Sequence, residues 1–126
     1  MYGVFDPVGY GADGKYGNEW DMTIWISDRG IESGRLKDIL IHEAAHAYSY
    51  LVLRGCVVPD GSSFRELAHK RYGDEEYLAD IFVLYYGGKW TNYDGRENIP
   101  IRDRSWMSNM IDYCNLYEEA LATLSS

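Results

Sequence analysis

The residues best suited to chemistry in this chain are the five from His42 to His46, which read His-Glu-Ala-Ala-His and form an HExxH pattern. Two histidines four positions apart on an α-helix lie on one face, about 40° apart around the axis, so both imidazoles can reach one metal ion. Glu43 sits beside them in sequence. The pattern predicts a zinc site on a helix; the competing interpretation is a pair of core histidines in an accidental match.

A second pair of residues completes this predicted site. A catalytic zinc ion takes three protein ligands and keeps a fourth position for water. Glu76 and Asp80 lie four apart on one predicted helix, where two carboxylates repel unless a cation or a donor lies between them. We predict Glu76 as the third ligand because it shares a face with Asp80. Glu75 points about 100° away and is expected to serve the first helical turn in solvent, although Glu75 and His69 remain competing ligands.

Both motifs resemble those of the gluzincin metallopeptidases, in which HExxH on one helix is completed by the glutamate of an ExxAD motif on the next. The stretch Glu76-Tyr77-Leu78-Ala79-Asp80 matches the second motif position by position. The short spacing is similar to minimal gluzincins and, less closely, to ImmA/IrrE-type proteins, whose last position is more often Asn. The metzincin pattern fails, because Ser49 and Val52 occupy the positions three and six beyond His46. The resemblance covers roughly residues 20 to 86.

The resemblance implies a role for each matched position. His42 and His46 are implied to bind Zn²⁺ through one ring nitrogen each, with Glu76 as the third ligand. Glu43 is implied to be the general base that takes a proton from the zinc-bound water and passes it to the leaving amine. Asp80 is implied to accept the remaining N–H of a ligand histidine, most directly His42, and so to orient that ring. The group that stabilises the transition state stays open among Tyr85, Tyr93, His69 and Arg96.

The remaining segments must position these motifs. The HExxH helix is predicted from a Ser33 N-cap to a stop near Gly55, and it is apolar on almost every side, which indicates a central helix covered all round. A capping box predicts a short helix opened by Ser63, and Asp74 is the predicted N-cap of the helix that carries Glu76. The other predicted elements are strands at Val4-Phe5 and from Trp20 to Ser27, a loop over residues 87 to 103 with Trp90 and Tyr93 beside a cleft, and a C-terminal helix from about Arg104 to Leu124.

These elements predict an α+β fold for a single domain over residues 1–126. The predicted arrangement is a minimal zincin-like domain with a small N-terminal sheet, the HExxH active-site helix, a glutamate-bearing second helix and a C-terminal covering helix. Only about thirty residues precede the metal helix, fewer than larger gluzincins use for a backing helix and a multistranded sheet. Either the C-terminal helix takes the backing role, or the chain is part of a longer protein.

Composition limits the partners. The net charge is −8, from 12 basic and 20 acidic residues, which argues against nucleic acid because phosphate binding needs clustered Lys and Arg. Cys56 and Cys114 match no metal-binding spacing and are expected to be reduced thiols. No segment has the pattern of a signal peptide or of a membrane span, so we expect a cytoplasmic protein without a membrane partner.

The predicted function is zinc-dependent hydrolysis of peptide bonds in a protein or peptide substrate. The alternative is a catalytically idle zinc-binding scaffold or interaction module, since a structural metal also suits a chain this small. Glu43 favours the enzyme, because a structural site needs no general base and usually closes its fourth position with protein.

Overall fold

The computed structural model describes residues 3–6, 23–89, 91 and 98–125. Helices dominate this part of the chain: the longest have 16 and 25 residues, whereas each strand has four. The elements in chain order are β1 (Gly3–Asp6), β2 (Thr23–Ile26), α1 (Asp28–Glu32), α2 (Leu36–Leu51), a 3₁₀ helix (Leu53–Gly55), α3 (Phe64–Tyr72), α4 (Glu75–Tyr85) and α5 (Ile101–Ser125).

The predicted α+β class is wrong. The strands β1 and β2 form one antiparallel ladder, from the Gly3–Ile26 pair to the Asp6–Thr23 pair, and no further named strand joins them within the described residues. The strand at Val4-Phe5 is confirmed, but the strand predicted from Trp20 to Ser27 is described only over Thr23–Ile26. It ends there because Ser27 caps α1, its hydroxyl accepting from the Gly30 N–H at 3.1 Å. So short a ladder cannot form a core layer, and the described core is helical.

Helix α2 carries the HExxH residues but begins later than its sequence indicates. Ser33 is not its N-cap: the Ser33 hydroxyl donates to the Gly30 carbonyl at 2.7 Å and so closes α1. Helix α2 starts at Leu36 and packs against α4. Its described surroundings do not cover it all round, since Leu40 and Leu51 are 43% and 49% exposed. Its apolar residues therefore divide between the core and an open face.

Helices α3 and α4 begin where their caps predict. The Ser63 hydroxyl accepts from the Glu66 N–H at 3.1 Å, and an Asp74 carboxylate oxygen accepts from the N–H groups of Glu76 and Tyr77 at 3.0 and 3.2 Å. These caps satisfy amides that have no partner inside their own helix. Glu76 is thereby fixed in the first turn of α4, with Asp80 one turn further on.

Helix α5 is the predicted C-terminal helix, begins at Ile101 before the predicted start near Arg104, and covers the core with one stripe of its surface. Met107, Met110 and Cys114 are fully buried, at spacings of three and four, whereas Leu121 and Leu124 are exposed. The burial ends because the last turns of α5 extend beyond the described core. The other core members come from α2, α3, α4 and the segment that joins α2 to α3: Ala45, Leu53, Cys56, Ala68, Tyr72, Leu78, Ala79, Ile81 and Phe82.

Cys56 and Cys114 form a disulfide that ties the segment after α2 to α5. The prediction of reduced thiols is therefore wrong. The two cysteines are 58 positions apart, and their sequence context contains no signal that would pair them; only the packing of α5 brings their Cα atoms to 5.6 Å. No helix in the described residues is long and apolar enough to cross a lipid bilayer.

Candidate metal centre

Three of the predicted site residues converge between α2 and α4. The Nε2 atoms of His42 and His46 lie 3.2 Å apart, and the Glu76 carboxylate faces both, with one oxygen 3.0 Å from His42 Nε2 and the other 3.1 Å from His46 Nε2. These residues form the one group of potential ligands of this kind among the described residues. The side chain of His42 is 5% exposed and that of Glu76 is 41% exposed, so the cluster opens to solvent on the Glu76 side.

Asp80 holds His42 from behind. Its Oδ1 lies 2.9 Å from His42 Nδ1, and its side chain is completely buried. Because a carboxylate only accepts, Nδ1 carries the proton and donates it to Asp80. With its proton on Nδ1, the ring has Nε2, the nitrogen that faces Glu76 and His46, available to bind a metal ion. This is the arrangement that the resemblance implied for Asp80 and His42.

A second carboxylate lies behind His46. Glu75 Oε1 is 3.6 Å from His46 Nδ1, an ion-pair distance. The prediction that Glu75 serves the first turn of α4 in solvent is wrong, because its side chain is only 23% exposed and contacts three other side chains. The reason is that α4 packs between α2 and α3, so successive positions of its first turn face different neighbours: Glu76 faces the Nε2 side of the two rings, and Glu75 the Nδ1 side of His46.

Glu75 is held by donors from two helices. Its Oε2 accepts from the Ser49 hydroxyl at 3.0 Å, from Arg65 Nε at 3.4 Å and from His69 Nε2. Arg65 Nε also donates to Ser49 Oγ at 3.1 Å, so these side chains contact one another as well as Glu75. We call Ser49, Arg65 and His69 the Glu75 clamp.

The electrostatics of this pair favour charge on both partners. Burial alone would raise the pKa of Glu75, but the contact with His46, the hydrogen bonds from Ser49 and His69 and the Arg65 charge outweigh it and lower that pKa to about 2. Burial also works against the charged form of His46. The Glu75 contact and the charges of Glu76, Glu43 and Glu75 outweigh it, so the pKa of His46 is raised.

The geometry of the donor set fits a metal ion. Both Nδ1 atoms face carboxylates, and the two Nε2 atoms and the Glu76 carboxylate converge at 3.0 to 3.2 Å. Electron-rich atoms this close need a cation or added protons between them. Four tetrahedral ligands about 2.1 Å from a zinc ion are about 3.4 Å from each other, so a shift of a few tenths of an ångström would accommodate the ion. His42, His46 and Glu76 are the residues that would hold it.

Glu43 lies on α2 between the two histidines in sequence and is 5% exposed. Its charge contributes to the raised pKa of His46, which places the carboxylate within electrostatic range of the cluster. Of the groups left open for transition-state stabilisation, the Tyr85 hydroxyl bonds Ser108 Oγ at 2.6 Å and His69 bonds Glu75. Tyr93 and Arg96 lie outside the described residues, as does Trp90.

Sequence reasoning missed the Glu75 clamp, although two signals for it exist. Ser49 follows His46 by three positions and so shares its helix face. Arg65 and His69 are four apart on α3, and N–H donors so placed favour an anion between them, just as Glu76 and Asp80 favour a cation. No spacing within α3 identifies which anion that is, because Glu75 lies on another helix.

Comparison of the chain with protein-family models, with curated proteins and with solved structures finds no match. The likeness to gluzincins thus depends on the two motifs alone, at residues 42–46 and 76–80.

Proposed function

We propose that the protein is a zinc-dependent hydrolase of peptide bonds in a protein or peptide substrate, of the gluzincin type. The observation that carries this proposal is the convergence of His42, His46 and Glu76, with a separate carboxylate behind the Nδ1 atom of each ring. Core histidines in an accidental motif need no such arrangement. A carboxylate at Nδ1 raises the basicity of Nε2 and fixes the tautomer that a metal requires.

The chain's own residues would divide the work as follows. A zinc ion, when bound, supplies a Lewis acid that polarises a carbonyl and lowers the pKa of a coordinated water toward about 7. Glu43 accepts a proton at its carboxylate and later returns it to the leaving amine. Asp80 keeps the His42 proton on Nδ1. The exposed Glu76 side of the cluster is where a substrate would approach.

The acidic character of the chain bears on its partners. The net charge of −8 disfavours the phosphate backbone of nucleic acids and suits neutral or basic peptide segments. We therefore propose a protein or peptide as the substrate. The cytoplasmic localisation stays a prediction, and the Cys56–Cys114 disulfide weighs against it, because structural disulfides persist mainly in oxidising compartments.

The test of this proposal compares the wild-type protein with Glu43→Gln on a mixed peptide library, after zinc loading and elemental analysis. We expect about one zinc per chain in both proteins. The wild type should cleave peptides, and the cleavage rate of the variant should be lower by several orders of magnitude. Zinc in both proteins with no cleavage by either would favour the idle zinc-binding scaffold. Equal cleavage by both would exclude Glu43 as the base.

A further inference from the structure

Glu75 uses its two carboxylate oxygens differently. Oε1 faces the Nδ1 atom of His46 at 3.6 Å, whereas Oε2 receives the three donors of the Glu75 clamp. The contact between Oε1 and His46 Nδ1 is long for a hydrogen bond, so its length depends on the rotation of the Glu75 carboxylate. The clamp sets that turn, because three donors on one oxygen leave the other directed at the imidazole.

The two ring-orienting carboxylates differ in their support. Asp80 is in the second turn of α4, has no exposed surface and lies 2.9 Å from His42, so core packing holds it. Glu75 is the first residue of α4 and its side chain remains 23% exposed. A long side chain at a helix end has several rotamers open to it, and ordering it costs entropy. Glu75 therefore needs support from outside its own helix, and α3 provides it.

We propose that α3 is part of the metal centre, with Arg65 and His69 as positioning residues that hold Glu75 against His46. Arg65 and His69 are one helical turn apart and reach the same carboxylate oxygen, while Ser49 joins them from α2. The orientation of His46 thus depends on three helices, whereas that of His42 depends on α2 and α4. This inference rests on the proposed metal site, and it assigns a function to residues that touch no ligand atom.

The test measures zinc affinity by competition with a chromophoric chelator. Glu75→Gln and Arg65→Met, which removes both the charge and the Nε donor of Arg65, should each weaken zinc binding about tenfold, the lower end of what residues behind a metal ligand contribute. His69→Gln keeps a side-chain N–H donor and should lose less. Lys70→Gln, which removes an exposed cation of the same helix, is the matched control and should stay within twofold of wild type. Circular dichroism and melting curves check that each variant folds.

A double-mutant cycle separates positioning from a general effect of charge. If Arg65 acts through Glu75, adding Arg65→Met to Glu75→Gln should cause little further loss of zinc affinity; a Coulombic effect on the ion would instead persist. A second readout is the exchange of the His46 Nδ1 proton with solvent, followed by NMR in the zinc-bound protein. Exchange should be faster in Arg65→Met than in wild type and unchanged in Lys70→Gln.

The possible failures are distinguishable. Wild-type zinc affinity in both Arg65→Met and His69→Phe, which remove the donors, with a loss in His46→Ala, would overturn the role of α3 and leave the metal site standing. A wild-type protein that binds no zinc would overturn the metal site and this inference together. If Arg65→Met does not fold, His69→Phe replaces it: the ring shape stays, the Nε2 donor is lost, and affinity equal to wild type would overturn the proposal.

Discussion

Replacement of Asp80 by asparagine perturbs the buried contact on which the orientation of His42 depends. The wild-type carboxylate accepts the His42 Nδ1 proton at 2.9 Å with no exposure to water. Asparagine has nearly the same shape, so the variant changes the charge of the acceptor and leaves the packing of α4 almost intact. The side-chain amide also presents N–H groups, and it must place its oxygen toward Nδ1 to accept at all.

The size of the effect follows from the kind of hydrogen bond that is lost. A hydrogen bond to a charged group contributes about 1.5–3 kcal/mol, and a neutral one about 1 kcal/mol. The difference of about 0.5–2 kcal/mol corresponds to a loss of zinc affinity of roughly 2- to 30-fold, at 1.4 kcal/mol for each factor of ten. Asp80→Ala, which leaves the buried Nδ1 proton without its acceptor, should lose about 10- to 100-fold.

The assay is zinc titration against a competing chelator, with Asp112→Asn on the exposed surface of α5 as the control for a simple change of net charge. The order of affinity should be Asp112→Asn equal to wild type, then Asp80→Asn, then Asp80→Ala. An Asp80→Ala protein that folds and binds zinc as tightly as wild type would refute the reasoning, since His42 would then need no orienting partner.

Three further predictions concern the third ligand, pH and the disulfide. Glu76→Ala should abolish tight zinc binding in the same titration, because two imidazoles alone leave the site a ligand short; unchanged affinity would exclude Glu76 as a ligand. In the zinc-free protein, the lowered pKa of Glu75 adds stability that is present above pH 4.5 and is lost as the pH falls toward about 2. The raised pKa of His46 adds stability that is present below pH 6.5 and is lost at higher pH. In denaturant unfolding, this pair should therefore contribute most to the free energy of unfolding between pH 4.5 and 6.5, and Glu75→Gln should flatten the dependence of that free energy on pH. An unchanged pH dependence in Glu75→Gln would contradict this. Replacing Cys56 and Cys114 by serine should lower the free energy of unfolding by about 4 kcal/mol, from the entropy of a loop of this length, and a loss below 1 kcal/mol would argue against the bond.

The features of the site that the sequence predicted are those that depend on residue spacing within one helix. The spacing of His42 and His46, and of Glu76 and Asp80, fixes which side chains share a face, and the caps at Ser63 and Asp74 fix where α3 and α4 begin. Local rules of this kind depend only on neighbours in sequence. The structure brings His42, His46 and Glu76 together, although spacing within one helix does not say which helices will meet.

The features that the sequence did not predict depend on packing between distant segments. The environment of Glu75 is set by α2 and α3, and the Cys56–Cys114 bond by the path of α5. Ser33 has the sequence of an N-cap for α2, yet its hydroxyl closes the preceding helix, an alternative that helix-start rules do not separate. The prediction of the fold class is wrong because the sequence patterns located the strands but carried no information on how many strands would pair.

X-ray absorption at the zinc edge of the loaded protein tests the central claim most directly. His42, His46 and Glu76 predict two imidazole nitrogens at about 2.0–2.1 Å and oxygen ligands at a similar distance, with no sulfur. In His46→Ala the zinc should have one imidazole ligand fewer, and most of the zinc affinity should be lost. A wild-type protein that retains no zinc after loading, or whose zinc has sulfur ligands or no imidazole, would contradict the account.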